Sequence, residues 1–345
     1  MTEPQVKNRL KSVAGEKNMA KSITIGKVRR LQQCSTPGGK LVMFALDHRG
    51  NLQRALNPGD PQSVTYEQMV SFKVEVAAAM SLVASGILLD PQFGAAQAIS
   101  AGAIHSGCGL LVALEKTGYT GDPTARQSQI LPGWSVEKIC RMGADGVKLL
   151  IYYHPDAPNA AEQEDLVAEV GEYCRQYDMP FFLEPLSFSL DPAVKKVATA
   201  EKRIVVTETA RRLTPFGVDI LKAEFPVNID DEKDESVWAQ ACAAVSEAAA
   251  CPWIILSAGV SFEEFERQTF VACRNGASGV LAGRAVWAEA ADLAGAARQE
   301  FLQTIAVERM KRLTEVIEAY GRAWTDFYPD LGRGVSQEWY KKYGQ

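Results

Sequence analysis

Eight short apolar runs, separated by longer stretches of helical spacing, constrain this 345-residue chain more than any other feature. They read LVMFALD (41–47), SGILLD (85–90), GLLVALE (109–115), GVKLLIYY (146–153), MPFFLEP (179–185), VDILKAEF (218–225), WIILSAG (253–259) and GVLAGR (279–284). The runs are nearly continuous rather than alternating, as in parallel strands buried on both faces. Amphipathic or alanine-rich stretches such as YEQMVSFKVEVAAAMSLVA, SVEKICRMG, AAEQEDLVAEVGEYCRQYD and DESVWAQACAAVSEAAA lie between them and suit crossover helices. Eight strands alternating with helices predict an α/β fold, a closed (β/α)8 TIM barrel, over an open doubly wound sheet. No glycine-rich dinucleotide fingerprint follows the first run, which removes the main support for the open alternative.

Barrels of about 250 residues and more form one core, so a single domain with additions fits the length. The expected organisation is an N-terminal extension over 1–24, the barrel over 25–325 and a tail over 326–345, with helical extensions at both ends. A hydrophobic share of 47% and a charged share of 23% suit a globular chain. The net charge of −5 argues against a general nucleic-acid or membrane-surface binder, while leaving room for one local anion pocket. No apolar run reaches the roughly 18 residues of a membrane span, and the first residues lack a signal-peptide pattern. The expected compartment is therefore the cytoplasm.

The seven cysteines show no C-x-x-C pair and read as reduced, mostly buried thiols. A cysteine nucleophile needs a partner base, and the three histidines, His48, His105 and His154, stand on separate segments. Their separation also lacks metal-ligand spacing, so no metal is expected.

Reactive groups of such barrels sit where the strands end, at the C-terminal mouth. The runs close with Asp47-His48-Arg49, Asp90, Glu115-Lys116, Glu184, Ser257-Ala258-Gly259 and Gly283-Arg284, while Lys148 and Lys222 lie inside two runs. One carboxylate at a strand end most often caps a helix or pairs with a neighbour. Lysines within buried strands are different, because an unpaired buried charge costs several kcal/mol. Two-residue alternation puts Lys222 on one face with Ile220 and Glu224, and Lys148 with Leu150 and Tyr152. The fifth strand between them offers Glu184, so two amines and a carboxylate are expected to converge. A lysine beside another cation in a dry site has a depressed pKa and attacks ketones, and Glu184 is placed to move protons. LSAGVS (256–261) and LAGRA (281–285) add glycines, a hydroxyl and Arg284 after strands seven and eight, where these barrels commonly hold phosphate.

FALDHRG, LLDPQFG, ALEKTGY, GADGVKLLIYY, PFFLEPL, VDILKAEFPVN, LSAGVS and GVLAGRAVW occur in order and together resemble the class I tagatose 1,6-bisphosphate aldolase family, whose relatives include sulfofructose-phosphate aldolases. The resemblance runs from about residue 25 to 324. It implies metal-independent, cofactor-free cleavage of a ketohexose bisphosphate to dihydroxyacetone phosphate and glyceraldehyde 3-phosphate. It makes Lys222 the Schiff-base residue and Glu184 the acid/base. Asp47, His48, Arg49 and Lys148 become substrate contacts; Ser257, Gly259, Gly283 and Arg284 become phosphate contacts. A phosphorylated ketose is then the partner, and a homodimer the assembly. One position departs from the family: His48 stands where D-Q-R is common, which puts the identity of the sugar in question. The alternatives are a sulfonated or singly phosphorylated ketose cleaved by the same lysine, and a sugar-phosphate-binding barrel without turnover.

Overall fold

The computed structural model describes residues 23–194, 196–331, 335–341 and 343–344. The expected N-terminal extension therefore lies almost wholly outside the described residues. The chain begins with α1 (Ile25–Gln33) and continues through β1 (Leu41–Leu46), α2 (Gly50–Leu56), α3 (Tyr66–Met80), β2 (Gly86–Leu89), α4 (Ala95–Ser100) and β3 (Gly109–Ala113). There follow α5 (Val136–Arg141), β4 (Gly146–Tyr152), α6 (Ala160–Gln176), β5 (Phe181–Leu186), α7 (Thr199–Leu213), β6 (Ile220–Ala223), α8 (Glu235–Ala248), β7 (Trp253–Leu256), α9 (Phe262–Arg274) and β8 (Gly279–Ala282). The described chain closes with α10 (Arg284–Trp287), α11 (Gly295–Phe301), α12 (Val307–Tyr320) and short 3-10 turns. All eight strands pair in sequence order, each parallel to the next, and β8 returns to β1. The predicted barrel is the observed one.

Several strands end sooner than their apolar runs. β7 stops at Leu256 because Ala258 and Gly259 both take positive φ, closing a turn in which the Val260 amide donates to the Ser257 carbonyl. α4, between β2 and β3, is an element the sequence reading did not assign. The C-terminal segment is helical as expected, with a π turn at Leu302–Ala306 and a break after Tyr320. Capping boxes at Thr65/Gln68 and Ser261/Glu264 start α3 and α9 where the sequence places those residue types.

Alternate strand residues point inward or toward the helices. Leu41, Met43, Ala45, Leu88, Leu111, Phe182, Ile220, Ile254 and Leu281 fill the interior, joined by Val28, Leu31 and Cys34 of the N-terminal segment and by Trp324 and Tyr328 near the other end of the chain. The N-terminal mouth is thus plugged by apolar groups from both ends of the chain. The larger outer core lies between strands and helices. At the seam, Gly279 has φ 143° and a Cβ there would lie 1.9 Å from the Leu41 carbonyl oxygen, so only glycine lets β8 meet β1. Six of the seven cysteines are buried and all are free thiols. Among the described residues no helix is long and apolar enough to cross a membrane.

α1 is fastened to the barrel by a buried ion pair. Lys27 Nζ donates to Asp219 Oδ2 at 2.7 Å, and the same oxygen accepts the Phe181 amide at 2.9 Å. Removing one partner strands the other charge in the dry N-terminal mouth. Asp219→Ala should therefore cost about 3–5 kcal/mol in chemical denaturation, while leaving the opposite mouth intact; a loss under about 1 kcal/mol, the range of an exposed pair, would refute the role given to this pair.

Candidate active site

The inward alternation that fills the lower barrel with apolar side chains brings charged ones into its upper part. Lys148, on β4, is fully buried; in the ladder it sits beside Ala113 of β3 and Phe182 of β5. Its ammonium donates to Asp47 Oδ2 at 2.7 Å and to Glu115 Oε1 at 2.7 Å, and lies 2.9 Å from Glu184 Oε2. Lys222, on β6, is 3% exposed and also lies 2.9 Å from Glu184 Oε2. One carboxylate oxygen therefore bridges both amines. Neither contact has hydrogen-bond geometry, so that oxygen retains lone-pair capacity for another donor.

The expected convergence of two amines and a carboxylate is present, with two further carboxylates. Burial alone would raise Asp47; Lys148, Lys222 and His48 outweigh it and hold the carboxyl far below its usual range. Glu184 is likewise lowered, burial and Asp47 being overcome by Lys148 and Lys222. For Lys148, burial opposes the charge, but Asp47, Glu115 and Glu184 raise its pKa well above normal. The cation expected to sharpen Lys222 is thus itself neutralised by three carboxylates. Lys148 serves as the hub that holds the Asp47 and Glu184 carboxyls low.

Glu115 was seen in the sequence as the end of a run but not among the site residues. Its Oε2 accepts the Leu150 amide at 3.0 Å, and its carbonyl accepts Arg49 Nη2 at 2.8 Å. Arg49 also reaches Gln92 Oε1 at 3.1 Å, tying together the loops that follow β1, β2 and β3. Strand parity held the missing signal: residues 109, 111, 113 and 115 share a face, but that face points at Lys148 only once the barrel register is known. Asp90 has the ordinary structural role, pairing with the buried Lys73 and accepting the Gln92 and Phe93 amides at 2.9 Å each. Glu224 faces away from Lys222. Its Oε2 accepts the Ser187 amide, and its Oε1 lies 3.8 Å from Lys202.

The β7–β8 side of the mouth is built differently. Ser257 Oγ accepts the Gly283 amide at 3.3 Å, joining the two loops. Gly259 has φ 81°, and a Cβ there would lie 2.9 Å from the Arg284 guanidinium carbon; glycine lets Arg284 lie flat on the turn. Arg284 has no ion-pair partner among the described residues, and burial followed by neighbouring Arg54 lowers its pKa. Two cations without a counter-ion make this a place for an anion. His48 borders it: its ring packs edge-on against Trp287 at 5.2 Å, and its Cε1 would lie 3.2 Å from a Cβ at position 283. Burial, only partly opposed by Asp47 and reinforced by Arg284 and Lys222, lowers His48 to about 4, so the imidazole is neutral at pH 7. Its Nδ1 has no hydrogen-bond partner among the described residues. Among the described residues no group of three or more His, Cys, Asp or Glu side chains is arranged to hold a metal ion.

A family model described as DeoC/LacD family aldolase matches residues 41–289, the whole barrel from the start of β1 to just past α10. The chain belongs to that family. This aldolase is 32% identical over 325 residues to tagatose 1,6-diphosphate aldolase of Streptococcus agalactiae serotype V, across 88% of this chain and 99% of the relative. It is 34% identical to the tagatose 1,6-diphosphate aldolase of Lactococcus lactis subsp. lactis, with the same coverage. In fold it is similar to fructose-bisphosphate aldolase from Plasmodium falciparum, with TM-score 0.69 and 14% identity over 89% of this chain and 99% of that one.

The carboxylates around Lys148 imply a specific pH behaviour. In the wild type, the depressed Asp47 and Glu184 contribute stability above the unfolded carboxylate range, near 4, and lose it as pH falls through their folded values; Lys148 contributes below about 10.4 and loses it above. Lys148→Met leaves Asp47 and Glu184 with Lys222 as the one remaining amine, so the folded pKa values of these two carboxyls rise and their destabilisation grows with pH. The variant should be about 3–5 kcal/mol less stable at pH 7.5, and the deficit should shrink as pH falls toward 5. A deficit independent of pH in denaturant titrations would show that the carboxylates are not held by this ammonium.

Proposed function

We propose that this aldolase cleaves a ketohexose 1,6-bisphosphate, most simply tagatose 1,6-bisphosphate, through a Schiff base on Lys222. The observation that carries the reading is the Glu184 oxygen standing 2.9 Å from both lysines in the C-terminal half of the barrel. The tagatose 1,6-diphosphate aldolases to which the chain is similar support that substrate class.

In this mechanism Lys222 passes its ammonium proton to Glu184 and its amine adds to the C2 carbonyl; the carbinolamine hydroxyl then leaves as water on taking a proton back from Glu184, which gives an iminium and restores the carboxylate. The iminium draws electrons as the C3–C4 bond breaks. Glu184, held ionised by its two lysine neighbours, takes the C4 hydroxyl proton, and the aldehyde half departs. The enamine is then protonated at C3, and water releases dihydroxyacetone phosphate and restores Lys222. Lys148 and Asp47 offer a donor and an acceptor to the sugar hydroxyls, Arg49 and Glu115 hold Lys148 in place, and neutral His48 presents a hydrogen-bonding nitrogen. Ser257, Gly259, Gly283 and Arg284 hold the C1 phosphate. The interior Leu, Phe and Ile side chains below exclude water, which strengthens each charge interaction above them.

Borohydride reduction with substrate, followed by peptide mapping, should place the adduct on Lys222, and Lys222→Met should abolish it. Glu184→Gln should still form the adduct while kcat falls about 10²- to 10⁴-fold. An adduct on another lysine, or cleavage surviving Lys222→Met, would overturn the assignment. Rates across tagatose, fructose and sulfofructose phosphates decide between the bisphosphate and the sulfonated or singly phosphorylated alternatives; His48→Gln should change the ranking of the sugars more than the yield of trapped adduct.

A further inference from the structure

A ketose with an anion at each end needs two cationic grips, and Arg284 on its glycine turn supplies one, on the β7–β8 side. The opposite side of the mouth carries a cation that the proposed mechanism leaves unused. Between β3 and α5 the chain runs over residues 114–135, far longer than most barrel loops. It folds back on itself through antiparallel bridges at Glu115–Ile130 and Thr120–Gln127. Within this hairpin the guanidinium of Arg126 is caged by aromatic rings: its central carbon lies 4.8 Å from the ring centre of Tyr119, 4.7 Å from Phe188 and 5.6 Å from Tyr152.

The three rings come from the hairpin, from the end of β4 and from the segment after β5. Tyr152 connects the cage to the reacting groups. It shares the inward face of β4 with Lys148, and its hydroxyl lies close enough to Glu184 and Lys148 to feel both charges. Stacking occupies the faces of a guanidinium and leaves its N–H edges available. Arg126 Nε donates to the Pro123 carbonyl at 3.1 Å, and among the described residues neither Nη group has an acceptor and no carboxylate pairs with it. Asp122, the nearby acid, is turned instead to the Thr124 amide and hydroxyl at 2.8 and 2.6 Å. A half-buried, pre-oriented cation with free paired N–H groups has the geometry that a phosphate takes bidentately.

We propose that Arg126 binds the phosphate at the C6 end of the substrate, so that the β3–α5 hairpin distinguishes a bisphosphate from a ketose phosphorylated at C1 alone. The inference rests on the ketose-bisphosphate reading above, which runs the sugar from Arg284 past Lys222 and Glu184 toward β4. The structural alternative is that Arg126 merely pins the hairpin to β4 and β5. Pinning would serve both ligands equally, and a phosphate grip would serve one.

The test is calorimetric binding of two non-cleavable probes, hexitol 1,6-bisphosphate and hexitol 1-phosphate, beside cleavage of the matching ketoses. The wild type should bind the bisphosphate at least about tenfold more tightly. Arg126→Gln keeps a planar group in the cage without charge; it should weaken the bisphosphate about 30- to 100-fold and the monophosphate under about threefold. Arg126→Lys, which keeps charge but loses the fork, should fall between, again for the bisphosphate alone. Equal losses for both probes in either variant, or a wild type that binds them alike, overturn the proposal. A wild type that discriminates the probes and responds to Arg126→Gln as stated, yet cleaves neither ketose, leaves the anion site standing and removes the aldol reading.

Discussion

An ammonium enclosed by three carboxylates inside a protein is stable only as a set, and the upper half of this barrel is organised around one. Lys148 could not stay charged at zero exposure without Asp47, Glu115 and Glu184, and those carboxylates could not stay charged together without it. The four groups come from β4 and β5 and from just beyond β1 and β3, so closure of the barrel is what assembles them. Lys222 joins through the Glu184 oxygen that it shares with Lys148. Desolvation, ordinarily a penalty, here ties the members together, because removing any one of them unbalances the buried charge of the rest.

The same economy of charge divides the molecule into two ends. The N-terminal mouth is sealed by α1, Trp324 and Tyr328, and its buried charges, Lys27 and Asp219, neutralise each other. The C-terminal mouth keeps charges that no carboxylate among the described residues neutralises: Arg284 over the Gly259 turn, and Arg126 in its aromatic cage. One end pairs its buried charges internally, and the other leaves cations available to the anionic ligand proposed above. Neutral His48 stands between the anion turn and the amine cluster and adds no further charge to either.

Much of this was legible in the residues. Continuous apolar runs give parallel strands, and a lysine among them can only be paired, which marked Lys148 and Lys222 and led to Glu184 on the strand between. The glycines and Arg284 after the last two strands marked the anion turn. Neither the place of Glu115 beside Lys148 nor the aromatic cage of Arg126 was legible, since each residue lies past a strand end and its orientation depends on how the β3–α5 hairpin folds back. Glu224 misled for the related reason that β6 ends at Ala223, so two-residue alternation no longer governs the next side chain.

The sequence by itself determined the eight-stranded barrel, the inward direction of the two lysines and the chemistry available at the mouth. Hydrophobic periodicity and the cost of burying a charge are local properties that need no partner to be read. Only the tertiary structure decided how many carboxylates surround Lys148, which way Glu224 turns and what lies beside Arg126. Those outcomes depend on register between strands far apart in the chain, and on loops whose backbone is set by what they pack against.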